Sequence, residues 1–393
     1  MHRIEWLLVV VLAVLVALAV AVVVVTPWLG QPPPPAAEPL APGETETMRA
    51  RVVEILEEGR IELVDGHAQP YQRLLVRVEG GSMAGQQIVV EEGVTNIIGD
   101  QRLFQPGDSV FLERTAGPGE DRFYISDAVR LVPLLFLALL FVTLVVSVGR
   151  WKGVRSLGGT VFSLGVIFGF ILPQIVAGRD PVVVSIVGAV LLLSVSTYLT
   201  YGVNLKAHAA VAGMALSLTL TGVLARFFVG WSRLGGMGME ESSFLVLELG
   251  SGINLRGLVL GGIIIGSLGV LDDVCVGQSS AIFELLRANR ELSWLDLFRS
   301  SLNIGTDHIA AMVNTLLLAY VGGAMPLMLA FIIYQEPLLQ RINREPIAEE
   351  IVRTLAGSCG LVLAVPITSL IATSLARWFA QRQDAKTTHQ DAQ

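Results

Sequence analysis

The apolar positions fall into two regimes: long unbroken runs at both ends of the chain, and one segment near the start where the runs are short. Leu7 to Val25 is an uninterrupted apolar run close to the roughly 20 residues that cross hydrocarbon. It ends in Thr26-Pro27-Trp28 rather than in a small-residue cleavage site, so residues 1–26 read as a retained signal-anchor helix. Residues 27–47 follow as a linker whose Pro32-Pro33-Pro34-Pro35 run favours extended polyproline. Over residues 48–127 the pattern predicts strands at Arg51 to Leu56, Leu74 to Val78, Gln87 to Val90, Val110 to Arg114 and Phe123 to Ile125. Gly80-Gly81-Ser82 and Pro106-Gly107-Asp108 supply turns. Five short strands in about 80 residues predict a small all-β domain, barrel- or sandwich-like. His67, in Asp65-Gly66-His67, reads as a turn residue.

Residues 128–377 return to long apolar runs: Ala128 to Val148, Leu157 to Ala177, Val182 to Leu199, Ala209 to Val229, and Gly252 onward. Met312 to Tyr334 is interrupted by Gly322-Gly323 and Pro326, so it reads either as one kinked span or as two short helices. Composition agrees: the 393 residues are 53% hydrophobic and only 16% charged, with mean hydropathy +0.64, which is too apolar for a soluble globule. The expected fold is an α-helical polytopic membrane protein of about eight transmembrane helices, with the β domain outside and residues 378–393 as a polar tail. Arg150, Lys152, Arg155 and Lys206 place their loops in the cytoplasm, while Glu240, Glu241 and Glu248 place the loop from Gly230 to Ser251 outside. Both termini are then cytoplasmic, and the membrane is expected to be a bacterial plasma membrane. No basic patch suggests nucleic acid. Cys275 and Cys359 both lie in or beside apolar segments, where they read as packing residues.

Within the last spans, ionisable groups interrupt the apolar pattern. Gly262, Gly266, Gly269, Asp273, Gly277, Ser280 and Glu284 recur at steps of three or four, which places them on one helix face. Such a stripe of small residues is expected to pack closely on another helix and to turn Asp273 into a protein interface. In the next helix Asn303, Asp307 and Asn314 share a face, and His308 lies on an adjacent one. A charge inside a membrane usually has partners, so Asp272, Asp273, Asp307 and His308 are expected to form one cluster, with Gln278, Asn303 and Asn314 as polar lining. Asp273, Asp307 and His308 could hold a divalent ion such as Mn²⁺ or Zn²⁺; no cofactor is otherwise indicated. Gly235-Gly236-Met237-Gly238 reads as a flexible external loop, and Glu349-Glu350 as the start of the final helix.

Gly269-Val270-Leu271-Asp272-Asp273-Val274, with Gln278-Ser279-Ser280-Ala281 and Glu284-Leu285, resembles the signature of the YibE/F-like family of membrane proteins. Asp307-His308-Ile309-Ala310, Asn314-Thr315-Leu316 and Glu349-Glu350-Ile351-Val352-Arg353 fit the same pattern, which makes Glu350 a further site candidate. The chain departs from that pattern at Cys275 and Gly277, where the family favours hydroxyl residues. The resemblance covers roughly the last two thirds and implies this layout, in some descriptions that of a permease. The expected function is therefore transport of a small solute or ion through the Asp/His cluster. The alternative is a membrane-anchored scaffold or sensor whose β domain binds a ligand or partner. Without a Gly-x-x-x-x-Gly-Lys-Ser/Thr loop, transport would be secondary or energised by a separate subunit, and the expected partners are the bilayer, a small solute or ion, and a homo-oligomer or such a subunit. An intramembrane hydrolase is not expected, because the Gly-x-Gly-Asp and Tyr-Asp contexts of aspartyl proteases are missing.

Overall fold

The computed structural model describes residues 44–62, 68–94, 103–117, 121–238, 240–250, 252–333 and 336–390. The first apolar run, most of the Pro-rich linker, and His67 lie outside these. The chain divides into two compact units, 1–148 and 149–393.

The first unit contains one antiparallel sheet of five strands: β1 (Thr45–Glu62), β2 (Ala68–Val78), β3 (Gln87–Glu92), β4 (Ser109–Thr115) and β5 (Arg122–Ala128), in the order β3-β2-β1-β4-β5. Each contains one of the strands expected from alternation. β1 is longer than expected and begins inside the stretch read as linker. Residues 45–51 of β1 pair with β4 and residues 50–62 with β2, and the irregularities at Val52/Glu54 and Ile55/Glu57 fall within the β2 pairing. The inward positions Met48, Ala50, Val52, Leu74, Val76, Val90, Val110, Leu112 and Ile125 form one core with Phe104. Edge strands β3 and β5 approach each other without a backbone ladder; the buried Glu92 carboxylate accepts from the Ile125 N–H at 3.0 Å. The sheet is thus curled toward a barrel, and a side chain bridges its two edges. Gln72, 1% exposed, closes the core: its amide accepts from Phe104 N–H at 2.8 Å and donates to Phe104 C=O at 3.1 Å.

Helices occupy the rest. A helical stretch runs from Leu131 to Val176, as α1 (Leu131–Val166), a π segment (Ile167–Ile171) and α2 (Leu172–Val176). Its backbone leaves helical geometry at Arg150, with φ 49° and ψ −134°, between the two spans expected from hydropathy. The π segment precedes Pro173, whose missing N–H cannot complete the regular ladder. After it come α3 (Pro181–Tyr201), α4 (Leu205–Trp231), α5 (Glu240–Leu249), α6 (Leu255–Ala288), α7 (Trp294–Gly323), α8 (Met325–Ile333), α9 (Leu338–Ile342) and α10 (Glu345–Gln390). Among the described residues, six helical stretches are long and apolar enough to cross a membrane, by length and composition: 131–176, α3, α4, α6, α7 and residues 345–382 of α10. The interrupted run 312–334 resolves into the end of α7 and the separate α8, whose nine residues cover only about 14 Å.

Polar caps start the helices. Asp180 accepts from the N–H groups of Val182 and Val183 at 3.0 Å each, Asn204 from Ala207 at 2.9 Å, Asn254 from Gly257 at 2.9 Å and Ser293 from Asp296 at 3.1 Å. The Asn254 amide also donates to Asp180 at 3.1 Å, so the starts of α3 and α6 are tied together.

The centre of the bundle is α4, α6 and α10, with α3 against α6 and α7 against α10 and α6. Glycines make the closest approaches. A Cβ on Gly360 would lie 1.9 Å from Thr221 Oγ1, one on Gly213 2.3 Å from Thr368 Oγ1, and one on Gly305 2.3 Å from Val365 Cγ1. The glycines expected to pack, Gly262, Gly269 and Gly277, have open space within 4 Å, and Gly266 has only the Tyr320 hydroxyl at 3.9 Å. Large residues of α6, among them Ile263, Leu271 and Val274, fill the core from the opposite side.

Three substitutions test this packing. Gln72→Leu strips Phe104 of both partners at about 1–3 kcal/mol each, and hydrogen exchange around residues 103–112 should accelerate by one to three orders of magnitude. Gly360→Leu should lower the thermal unfolding midpoint in detergent, at a cost of about 1–3 kcal/mol or more. Gly269→Ala should leave that midpoint unchanged or slightly raised.

Candidate functional site

α6 runs through the middle of the bundle, and Asp272 sits near its midpoint, about 25 Å of helix from either end. The adjacent Asp273 is rotated about 100° around the axis, and the two acids therefore have different surroundings. Asp272 is half-buried, and its carboxylate accepts from the Thr197 hydroxyl of α3 at 3.3 Å. Thr197 itself is buried. Beside them lies a cavity of about 190 Å³ whose polar lining is Ser163 of α1, Ser196 and Thr197 of α3, and Asp272; the remaining lining is aliphatic apart from Gly269. Gly159 allows this arrangement: a Cβ there would lie 3.2 Å from both the Ser196 and Thr200 hydroxyl oxygens, so α1 approaches α3 closely on the same side. The result is one carboxylate and three hydroxyls at membrane depth, oxygen chemistry suited to a proton or a small hard cation.

The other expected members are dispersed. Asp273, Asp307, His308, Asn303 and Asn314 are exposed, and their side chains make no hydrogen bond or ion pair with the described residues. Among the described residues no group of three or more His, Cys, Asp or Glu could hold a metal ion. The four-residue Asp/His cluster is therefore not assembled within the chain. Asp273 lies on the uncovered glycine face instead of in a helix interface. Gln278 is no lining residue either, since its buried amide donates to Ser301 C=O of α7 at 2.6 Å and to Ser369 Oγ of α10 at 2.8 Å, locking three helices. Glu284 is at the end of α6, where it pairs with Arg287 at 3.7 Å. Ser280 is half-buried on the same helix.

Glu350 does meet a cavity, a second one of about 670 Å³, lined by Glu241, Tyr320, Glu350 and Arg353 together with α8 and the end of α7. Arg353 pairs with Glu350 at 3.4 Å. Next to it, the loop expected to be flexible is fixed. The N–H groups of Gly235, Gly236 and Met237 all point at one oxygen of Glu345, at 2.5, 2.9 and 3.4 Å. Gly236 has φ +88° and its missing Cβ would lie 2.6 Å from the Leu255 backbone, while a Cβ on Gly238 would meet the Glu349 carboxylate at 2.7 Å. The loop is a backbone nest for the first-turn acid of α10. Glycine spacing and a downstream acid were the available signal for it. Thr197, Ser196 and Ser163 gave none, since a hydroxyl inside an apolar helix most often bonds its own backbone.

The two ends of the bundle differ in charge. At one end Lys206, Glu284, Arg287 and Arg290 surround an open pocket. Arg155 donates to Leu199 C=O at 2.8 Å and Arg377 to Arg290 C=O at 3.0 Å at this same end. The other end mixes both signs, with Asp180, Glu241, Glu345 and Glu349 beside Arg256, Arg344 and Arg353.

Neither a curated protein nor a solved structure matches the chain. A sequence model of the family described as YibE/F-like protein matches residues 137–378, which is well over half the chain and includes the whole of α3 to α8 and every candidate site residue. The chain belongs to the YibE/F-like family.

Proposed function

We propose that this protein is a permease for a small solute or ion, coupled to or carrying a cation or proton, with Asp272 as the group that takes it up. The observation that carries this reading is the pairing of Asp272 with Thr197 beside a small hydroxyl-lined cavity midway along α6. A carboxylate at this depth costs about 2.5–3.5 kcal/mol on insertion scales, and one hydroxyl offsets only part of that. The rest is recovered when a proton or cation occupies the site. A second cavity, of about 670 Å³, falls in the range of small-molecule pockets, and its Glu350–Arg353 pair offers both signs of charge to a solute.

The topology that fits this reading has the basic end in the cytoplasm of a bacterial cell. The 46 residues from Leu131 to Val176 measure about 69 Å as helix, twice a bilayer core, so the break at Arg150 makes two crossings of them. With the amino-terminal run 7–25 the chain then crosses eight times, both termini are inside, and the β domain is outside.

The test is a thermal-stability screen of detergent-purified protein against divalent cations and pH, followed by flux into vesicles. A cation at a hundred times its dissociation constant should stabilise the wild type by about 2.7 kcal/mol. Asp272→Asn keeps the Thr197 contact and the fold, yet should weaken that cation roughly ten- to hundred-fold and abolish flux. Asp273→Asn and Asp307→Asn should behave as wild type. Equal binding and flux in Asp272→Asn would defeat the proposal and turn attention to the β domain.

A further inference from the structure

α7 touches the bundle along one face only. Leu297, Ser301 and Gly305 are buried, and Ile309, Met312, Val313 and Leu316 pack partly on the core. Directly opposite stand Asn303, Asp307, Ala310, Asn314, Leu317 and Val321, every one of them exposed. Their spacing is four, three, four, three, four, the repeat of a coiled-coil seam, on a helix long and apolar enough to cross the membrane. Against lipid such a face is unfavourable, because two amides and a carboxylate would sit in hydrocarbon with no hydrogen-bonding partner.

We propose that α7 is the interface through which two copies of this chain pair in the membrane. A second copy is the occupant whose amides match, and the like charges it brings together at Asp307 need donors from the same seam. All copies insert with one orientation, so two α7 helices related by an axis along the membrane normal run parallel and bring each seam residue opposite its own counterpart. An asparagine carries both donors and an acceptor, so Asn303 and Asn314 can each bond their counterparts. The Asn303 amide, one turn from Asp307, supplies donors to the acceptor-only carboxylate of the other copy. Ala310 lies between these polar layers and lets the backbones approach, as small residues do in transmembrane pairs. Asn at a core position of a parallel coil also fixes its register. The pairing is independent of the transport reading, since no seam residue touches the Asp272 cavity.

The experiment is site-directed crosslinking of the full chain in native membranes, with Cys275→Ala and Cys359→Ala as background. Ala310→Cys, Asn314→Cys and Leu317→Cys should each give a product of twice the chain mass, at least ten-fold more than His308→Cys or Thr315→Cys, which are exposed but off the seam. Equal yields at all five positions, monomer alone, or a product of another mass would overturn the pairing and assign the seam to another segment or protein. As a check that needs no crosslink, light scattering of the detergent-purified protein should report a dimer. The Asn303→Leu, Asn314→Leu double variant should shift it to monomer, whereas Asp307→Asn, which replaces facing carboxylates by amides, should retain it. A wild-type monomer, or a dimer unaffected by the double variant, refutes the assignment.

Discussion

A bilayer core offers no water to a stranded polar group, and much of the helical unit answers to that constraint. Backbone groups are satisfied inside each helix, and the side chains that start helices do so at their ends, where Asp180, Asn204, Asn254 and Ser293 take up otherwise free N–H groups. Hydroxyls within spans mostly return to the preceding turn: Thr143 donates to Leu139 C=O, Thr160 to Ser156, Thr219 to Ala215 and Ser374 to Leu370. Thr197 differs, because its hydroxyl donates to a carboxylate, Asp272 of α6, whereas the Ser279 hydroxyl, which also leaves its own helix, reaches a backbone carbonyl. That choice identifies the site more sharply than the carboxylate does, since acids also occur on the uncovered face.

The same constraint separates polar groups that hold the bundle from those that stay available. Gln278 bonds α7 and α10 at once, and Ser279 donates to Lys206 C=O at 2.8 Å, linking α6 to the start of α4. Such residues are spent on structure. Asp272 has one hydroxyl partner and a cavity, so it has acceptor capacity left over. Glu345 shows the opposite extreme, with three backbone donors on one oxygen at the start of α10; this joins the loop after α4 to the last helix and closes that end of the bundle.

The five strands, the long apolar helices among the described residues and the interruption at Arg150 were legible because each rests on a local pattern: alternation, apolar length, or a basic cluster between apolar runs. The face of α6 that meets the hydroxyl-lined cavity was legible only to within one residue. Its two aspartates are adjacent in sequence, and glycines occur on two of its faces. Gly262, Gly266, Gly269 and Gly277 form the more regular series, yet Gly261 is the one pressed against Ser185, whose Oγ would lie 2.4 Å from an added Cβ. What decides is the mate: the packed glycines face Ser185, Thr221, Thr368 or Val365 on other helices, which no single-helix periodicity can report. For the same reason the Asp/His cluster was inferred from matching depth on α6 and α7. Depth does match, as Gln278 meets Ser301 and Gly266 meets Tyr320, but azimuth does not, and Asp307 points away from the bundle.

α7 joins these themes. Its first half is clamped by Ser301 and Gly305 against Gln278 and Val365, while beyond Gly305 no residue of the helix is fully buried. That less secured half carries Ala319, Tyr320 and Gly323 into the wall of the 670 Å³ cavity and presents Asn314, Leu317 and Val321 on its other side. This half is less secured than the clamped one, because its contacts with the core, through Ile309, Met312, Val313 and Leu316, are only partly buried, and a shift there breaks fewer of them. Covering the outer seam adds contacts to that same half and opposes the shift. The seam and part of the cavity wall are therefore two faces of the same half of one helix.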